Sequence, residues 1–290
     1  MIVVTGASGQ LGRLVIEQLL ARNVPAASIV AAVRTPAKVA DLAARGVQVR
    51  EADYTRPDTL DSAFAGAQKL LLISSDAVGQ RVAQHGAVIA AARRAGVQLL
   101  AYTSLLRADS SRLGLATEHV ATEALLRDSG VPHVLLRNGW YTENYLASLA
   151  PALQHGAVIG AAGDGRIASA ARIDYAAAAA EVLVRDGQAG RTYELAGDAG
   201  YTLAEFAAEL SHQAGRSIPY VNLPQAEFQA ALQGAGLPEG LAALLADSDA
   251  AAAHGALFDE QRQLSQLIGR PSTPLATHLA QALAALNAAA

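Results

Sequence analysis

The sequence predicts an α/β fold: a doubly wound parallel sheet with a smaller, helix-rich lobe towards the C-terminus. Three observations carry this. Short, apolar, β-branched runs recur up to Arg137, as strands buried on both faces of a parallel sheet require. Each run is followed by a segment of helical period, which is the alternation of doubly wound sheets. Beyond Asn138 this rhythm breaks, and from about Thr202 the chain reads as mostly helical.

Taken in order, Ile2-Val3-Val4 is the first strand, and Leu11, Leu14, Val15 and Leu19 mark an amphipathic helix behind it. Ser28 to Val33 is the second strand, ending at Arg34. Val47 to Arg50, then Ala52-Asp53-Tyr54, gives the third strand and its exit loop. A helix runs from Asp58 to Phe64 with Asp58 as its cap. Lys69 to Ser75 is the fourth strand, followed by a helix from Val82 to Ala95 that stops at Gly96. Val97 to Ser104 is the fifth strand, Thr117 to Ser129 a helix and Pro132 to Arg137 the sixth strand. After Asn138 the pattern predicts one helix over Glu143 to Leu153 and a glycine-rich loop over Ile159 to Ala170. Asp174 caps a helix to Val184 that contains the run Ala176–Ala180, and Thr192 to Leu195 is a further strand. Thr202 caps a helix to Ala214, where Leu203, Phe206, Ala207 and Leu210 form a core stripe. In blocks, residues 1–150 read as a dinucleotide-binding domain of Rossmann type. Residues 151–201 read as crossing segments and residues 202–290 as a smaller substrate lobe.

The first turn carries the chemistry. Gly6, Gly9 and Gly12 stand between the first strand and its helix, spaced Gly-x-x-Gly-x-x-Gly. Gly6 permits a sharp turn, Gly9 lets backbone approach a diphosphate, and Gly12 lets the helix pack closely. The helix start then offers N–H groups and a positive dipole end to phosphate. A glycine trio alone is weak evidence; following a strand and opening a helix, it predicts a dinucleotide site. Arg34 chooses the nucleotide. A carboxylate at the end of the second strand would bind the ribose hydroxyls of NADH and repel a 2′-phosphate, whereas a guanidinium can grip that phosphate. No Asp or Glu lies between Glu17 and Asp41, so NADPH is expected over NADH.

Composition excludes several classes. Of the 290 residues 52% are hydrophobic, and the net charge of −4 comes without a basic tract, which argues against nucleic acid and anionic membranes as partners. No apolar run is long enough to span a bilayer, and the chain opens on a core strand, so the cytoplasm is expected. There is no cysteine, which removes thiolate nucleophiles and thiolate metal sites. The seven histidines show no close pairing, so no metal site is expected.

In open α/β sheets the ligand lies at the carboxyl ends of the strands. Ser74 and Ser75 would lie under adenosine and ribose. Val78, Gly79 and Gln80 would flank the diphosphate or the nicotinamide ribose. Asn138, Gly139, Trp140 and Tyr141 would meet the nicotinamide end, where a flat substrate must also lie; Trp140 serves equally as a plug in the core.

The stretches Thr5-Gly-Ala-Ser-Gly-Gln-Leu-Gly12, Leu70-Leu-Leu-Ile-Ser-Ser75, Ala101-Tyr-Thr-Ser-Leu105, Leu136-Arg-Asn-Gly-Trp-Tyr141, Gly160-Ala-Ala-Gly-Asp-Gly165, Ala246-Asp-Ser-Asp249 and Gly269-Arg-Pro-Ser-Thr-Pro-Leu275 resemble the NmrA-like branch of atypical short-chain dehydrogenases, and within it the quinone-reducing members. The resemblance runs essentially end to end. It implies two-electron reduction of quinones by NADPH without flavin. It also implies cofactor contacts at Gly6, Ala7, Ser8, Gly9, Gln10, Leu11, Arg34, Val78, Gly79, Gln80, Asn138, Gly139, Trp140, Tyr141, Thr142 and Glu143, with Arg172 as a further candidate. Asn138, Trp140 and Tyr141 are the substrate-pocket candidates.

Ordinary short-chain dehydrogenases use Tyr-x-x-x-Lys. The only lysines here are Lys38 and Lys69, and neither lies four residues after a tyrosine. Where many NmrA-like enzymes carry a lysine, this chain has His119. A ketone needs a general acid as hydride arrives, whereas a quinone needs one less, because its product anion is stabilised by aromaticity. The missing pair therefore points to a site that works mainly by proximity. Tyr141 and Asn138 are candidates to orient the substrate, and His119 is a weak candidate proton donor, since a lone histidine on a helix more often has no such role. Two other readings stay open: a nucleotide-sensing regulator without catalysis, and a reductase of another planar conjugated acceptor. The sequence is compatible with a homo-oligomer.

Overall fold

A computed structural model describes residues 1–289. In chain order its elements are β1 (Ile2–Thr5), α1 (Gln10–Ala21), β2 (Ile29–Val33), α2 (Ala40–Ala44), β3 (Gln48–Glu51), α3 (Pro57–Phe64), β4 (Lys69–Leu72), α4 (Arg81–Arg94), β5 (Leu99–Leu105), α5 (Ala116–Ser129) and β6 (His133–Asn138). There follow α6 (Thr142–Leu146), α7 (Leu149–His155), β7 (Val158–Gly160), α8 (Arg172–Val184), β8 (Thr192–Leu195), α9 (Leu203–Ala214), β9 (Tyr220–Asn222), α10 (Gln225–Gly234), α11 (Glu239–Ala252), α12 (Gln263–Ile268) and α13 (Leu275–Ala289).

The chain forms two compact units. One comprises Met1–Asp109, Thr117–Asn138 and Arg172–Glu194; the other comprises Ser110–Ala116, Gly139–Ala171 and the chain from Leu195 onward. They are interleaved along the sequence, where the sequence rhythm expects consecutive blocks with a final lobe from Thr202. The interleaving arises because the chain returns through α8 and β8 to finish the sheet.

The first unit is built on a seven-stranded sheet of order β3-β2-β1-β4-β5-β6-β8. The pairings from β3 through to β6 are all parallel. β2, β5 and nearly all of β4 are buried along their length, which explains their unbroken apolar sequences. The strand order reverses between β1 and β4, so the loops after these two strands flank the crevice where such sheets bind ligands. Ala176–Ala180 is wholly buried in α8, which packs against α1; small side chains let the two helices approach closely.

In the second unit β7 and β9 form a two-stranded parallel sheet. Thr202 caps α9 in a full capping box with Glu205, and Leu203, Phe206, Ala207 and Leu210 are all buried, as the stripe requires.

Three local expectations change. The single helix expected over Glu143 to Leu153 is two, α6 and α7. Pro151 cannot continue a helix from Ala147, but it fits the first turn of a new one starting at Leu149, where its missing N–H costs nothing. Asp58 does not cap α3; Arg56 holds the cap position, Pro57 opens the helix, and Asp58 sits inside the first turn. Asp174 likewise lies within the first turn of α8, which begins at Arg172, and is fully buried.

Candidate active site

The glycine turn follows β1 directly. Gly6 has φ +60°, a left-handed conformation that glycine adopts without a Cβ penalty. The Gly9 N–H donates to the Gly6 carbonyl at 2.9 Å and closes the turn. A Cβ on Gly12 would stand 2.5 Å from the Gly6 oxygen and 2.7 Å from the Ala7 Cα. Gly12 thus lets α1 rest on the turn itself, not on the sheet alone. The start of α1 has no side-chain cap and no acidic residue in its first turn, so its N–H groups and dipole are left for an anion. Gly6, Ser8, Gly9 and Gln10 are exposed, whereas Ala7 and Leu11 are buried beneath them.

The turn rests on a polar floor that sequence reasoning did not single out. The Thr5 hydroxyl donates to the Leu71 carbonyl at 2.9 Å and accepts from the Ile73 N–H at 3.1 Å and the Tyr54 hydroxyl at 2.5 Å. These bonds lock the ends of β1 and β4 to the loop after β3.

The register Thr5↔Ala32 sets the end of β2 beside the glycine turn, and the Ala7 N–H reaches the Ala32 carbonyl. Arg34 is exposed there and makes no hydrogen bond or ion pair among the described residues. Asp41, the next carboxylate along the chain, is bound by Arg13, whose hydrogen bonds and charge hold its pKa below the usual range. The guanidinium at the strand end is therefore available to a phosphate.

The loop after β4 is tightly tied. The Ser74 N–H donates to Thr103 Oγ1 at 2.8 Å, and the Ser75 N–H donates to His85 Nε2 at 3.0 Å. Gly79 has φ +88°, and Val78 beside it is 53% exposed. At the end of β6, Asn138 is buried with its Oδ1 unpartnered among the described residues. A buried acceptor without a donor is costly, and this atom is left to accept a hydrogen bond from outside the described residues. Gly6 to Leu11, Arg34, Ser74 to Gln80 and Asn138 thus follow or end strands of one sheet at their carboxyl ends. Arg172 opens α8 in the same unit.

Gly139 to Glu143 belong to the second unit. The Gly139 N–H donates to the Leu195 carbonyl, and Trp140 is 7% exposed. Tyr141 bridges to Ala170, while Thr142 is buried in a hydroxyl chain through Ser169 Oγ at 2.8 Å to the Tyr201 hydroxyl at 2.6 Å. In the same unit Asp249 accepts from the Ala161 N–H at 3.0 Å, and burial raises its carboxyl to about 6.

His119 is buried, and its Nδ1 pairs with the Tyr102 hydroxyl at 2.8 Å. Burial lowers its pKa to about 3 and raises that of Tyr102, so both are neutral at physiological pH. Nearby in the same unit, Arg137 donates to Glu123 through Nε and Nη2 at 2.9 and 2.8 Å and to Glu194 through Nη1 at 2.9 Å. Ser104 adds a 2.6 Å bond to Glu123. Sequence reasoning passed over this cluster. Its signal was an arginine within the apolar strand Val134-Leu135-Leu136-Arg137, because a buried guanidinium demands carboxylate partners.

A glycine turn closing on an uncapped helix, an unpaired arginine at the next strand end and a reversal of strand order between β1 and β4 define a dinucleotide-binding protein of Rossmann type. The chain belongs to the NAD(P)H-binding family, whose model matches residues 6–186. It is 59% identical to quinone oxidoreductase 2 of Escherichia coli (strain K12) over 276 residues, 95% of this chain and 96% of that one. The crystal structure of the E. coli NADPH-dependent quinone oxidoreductase QOR2 complexed with NADPH superposes with a TM-score of 0.95, covering 98% of this chain and all of that one at 58% identity. Triphenylmethane reductase of Citrobacter sp., solved with NADP(H), gives a TM-score of 0.93 at 39% identity, over 97% of this chain and 100% of that one. An NmrA-like family domain-containing oxidoreductase of Aspergillus flavus is 29% identical over 244 residues, 78% of this chain and 75% of that one.

Proposed function

We propose that this chain is an NADPH-dependent quinone oxidoreductase that works without flavin or metal, in the cytoplasm, by direct transfer to the quinone. The observation that carries the reading is the glycine turn with Arg34 unpaired beside it, in a chain so similar to QOR2 along its length. NADPH supplies the hydride; together with one proton it converts quinone to hydroquinone and leaves NADP⁺. The first unit holds the dinucleotide. The N–H groups at the start of α1 receive the diphosphate, and Arg34 receives the 2′-phosphate. Asn138 Oδ1 accepts from an N–H of the nicotinamide carboxamide. Tyr141 and Trp140 are the candidates for substrate contact, and Arg172 for a further cofactor contact.

The chain supplies little acid. His85 and His119 are held neutral by burial, at about 4 and about 3, and Tyr102 is a weaker acid than an ordinary tyrosine. A hydroquinone anion can take its proton from water, so the reaction suits a site that orients without protonating. The similarity to triphenylmethane reductase favours one second reading, in which the acceptor is another planar conjugated molecule.

The test is anaerobic oxidation of NADPH by a small benzoquinone, followed by nicotinamide absorbance with colourless, flavin-free protein. Turnover that is independent of added flavin, with deuterium leaving stereospecifically labelled NADPH in step with quinone consumption, is expected. Tight NADPH binding with no turnover of any quinone would overturn the reading and leave a nucleotide sensor. Turnover of a triphenylmethane dye alone would favour the second reading.

A further inference from the structure

The loop from Ser75 to Arg81 is gripped at both ends by a single turn of α5. At its far end the Gly79 N–H donates to both oxygens of Glu118 at 3.1 Å, and the Arg81 N–H donates to Glu118 Oε1 at 3.0 Å. At its near end the Ser75 N–H donates to His85 Nε2, and His85 Nδ1 meets Thr122 Oγ1 at 2.9 Å. Thr122 in turn donates to the Glu118 carbonyl at 2.8 Å. The direction of this chain is fixed. Thr122 spends its proton on Glu118, so His85 must donate through Nδ1–H and accept at Nε2. The Arg81 Nε donates back to the Ser75 carbonyl at 2.6 Å and closes the loop on itself. The outcome is an apolar side chain, Val78, held out into solvent over a glycine in the left-handed region.

We infer that Glu118, with the Thr122–His85 pair, is a positioning device: it fixes the 76–81 loop in advance so that Val78 and Gly79 present a ready surface to the nicotinamide half of NADPH. This rests on the reading that the loop after β4 contacts the cofactor. Glu118 does no chemistry. It removes from the binding step the entropy of ordering the loop.

Two variants test this, both chosen to keep the fold: Glu118→Gln, isosteric and still an acceptor, and Thr122→Val, which removes the hydroxyl that orients His85. Glu118→Ala is read beside them. Amide hydrogen exchange at Gly79 and Arg81 in the protein without nucleotide should rise in Glu118→Ala and less in Glu118→Gln. The Kd for NADPH should rise about tenfold in Glu118→Ala, as expected for losing bonds to a charged acceptor, while kcat changes much less. Thr122→Val should loosen Ser75 and weaken NADPH binding in the same sense. Faster exchange with unchanged NADPH affinity overturns the inference, since the loop then lies outside the cofactor site. Unchanged exchange in all variants overturns it too, since nothing is being clamped. Absence of quinone turnover in the unaltered protein, with the affinity losses present, would refute the proposed reaction and leave the clamp standing.

Discussion

Arg34 and Gly12 carry the proposed nucleotide site, each through one atomic fact. At the end of β2 the Arg34 guanidinium makes no hydrogen bond or ion pair among the described residues, although Asp53 lies near enough for their charges to interact. Arg34→Ala should raise the Kd for NADPH about tenfold or more, the value of charge-assisted bonds to a phosphate, and leave NADH binding nearly unchanged. Calorimetric titration with both nucleotides checks this. At Gly12 any side chain meets backbone, with the Gly6 oxygen 2.5 Å from the added Cβ. Gly12→Val should therefore abolish NADPH binding and cost about 1–3 kcal/mol of stability, measured by urea denaturation. The place of Arg34 at the end of β2 was legible in the sequence, because the apolar run of that buried strand stops just before it. Thr5, Tyr54, His85 and Glu118 were not. Each acts through a partner far along the chain, and a hydroxyl or carboxylate announces nothing until its donor is in place.

At the scale of elements, patterned segments were legible and their boundaries were not. The apolar runs located β1, β2, β4, β5 and β6, because a strand buried on both faces leaves little choice of residue, whereas the edge strand β3 is polar and only partly buried. The caps at Asp58 and Asp174 were misread because each helix begins one or two residues earlier, at Pro57 and at Arg172. Thr202 and Glu205 form a capping box, so Thr202→Ala should cost about 1 kcal/mol in chemical denaturation. Asp58→Ala should change stability little, because Pro57 already opens α3 and the Asp58 side chain caps nothing. The Arg137 cluster binds β6 to α5 and β8. Arg137→Met would leave Glu123 and Glu194 without their shared cation, and should destabilise the protein by about 3–5 kcal/mol.

Over the whole molecule, stability against pH reports three buried groups. His85 and His119 have folded pKa values well below that of a free histidine, so their contribution is complete above about pH 6.5 and is lost as the pH falls towards 4 and 3. Asp249 has the opposite sign. Its folded pKa of about 6 exceeds the unfolded value, so its contribution is present in acid and lost as the pH rises through 6. Between pH 4.5 and 5.5 the unfolded chain carries two extra histidine protons and the folded chain one extra aspartate proton. Stability should then fall by about 1.4 kcal/mol for each pH unit of acidification. Asp249→Asn removes the opposing group and should roughly double that slope in denaturant titrations. No helix among the described residues is long and apolar enough to cross a membrane.

The interleaving of the two units has a consequence for how such a protein can diversify. The chain passes between the units five times. Neither unit corresponds to one uninterrupted stretch of gene, so a single recombination crossover cannot exchange the second unit for that of a relative and leave the dinucleotide-binding unit intact. Replacing the second unit by that of a relative needs a join at each of the five passages between the units.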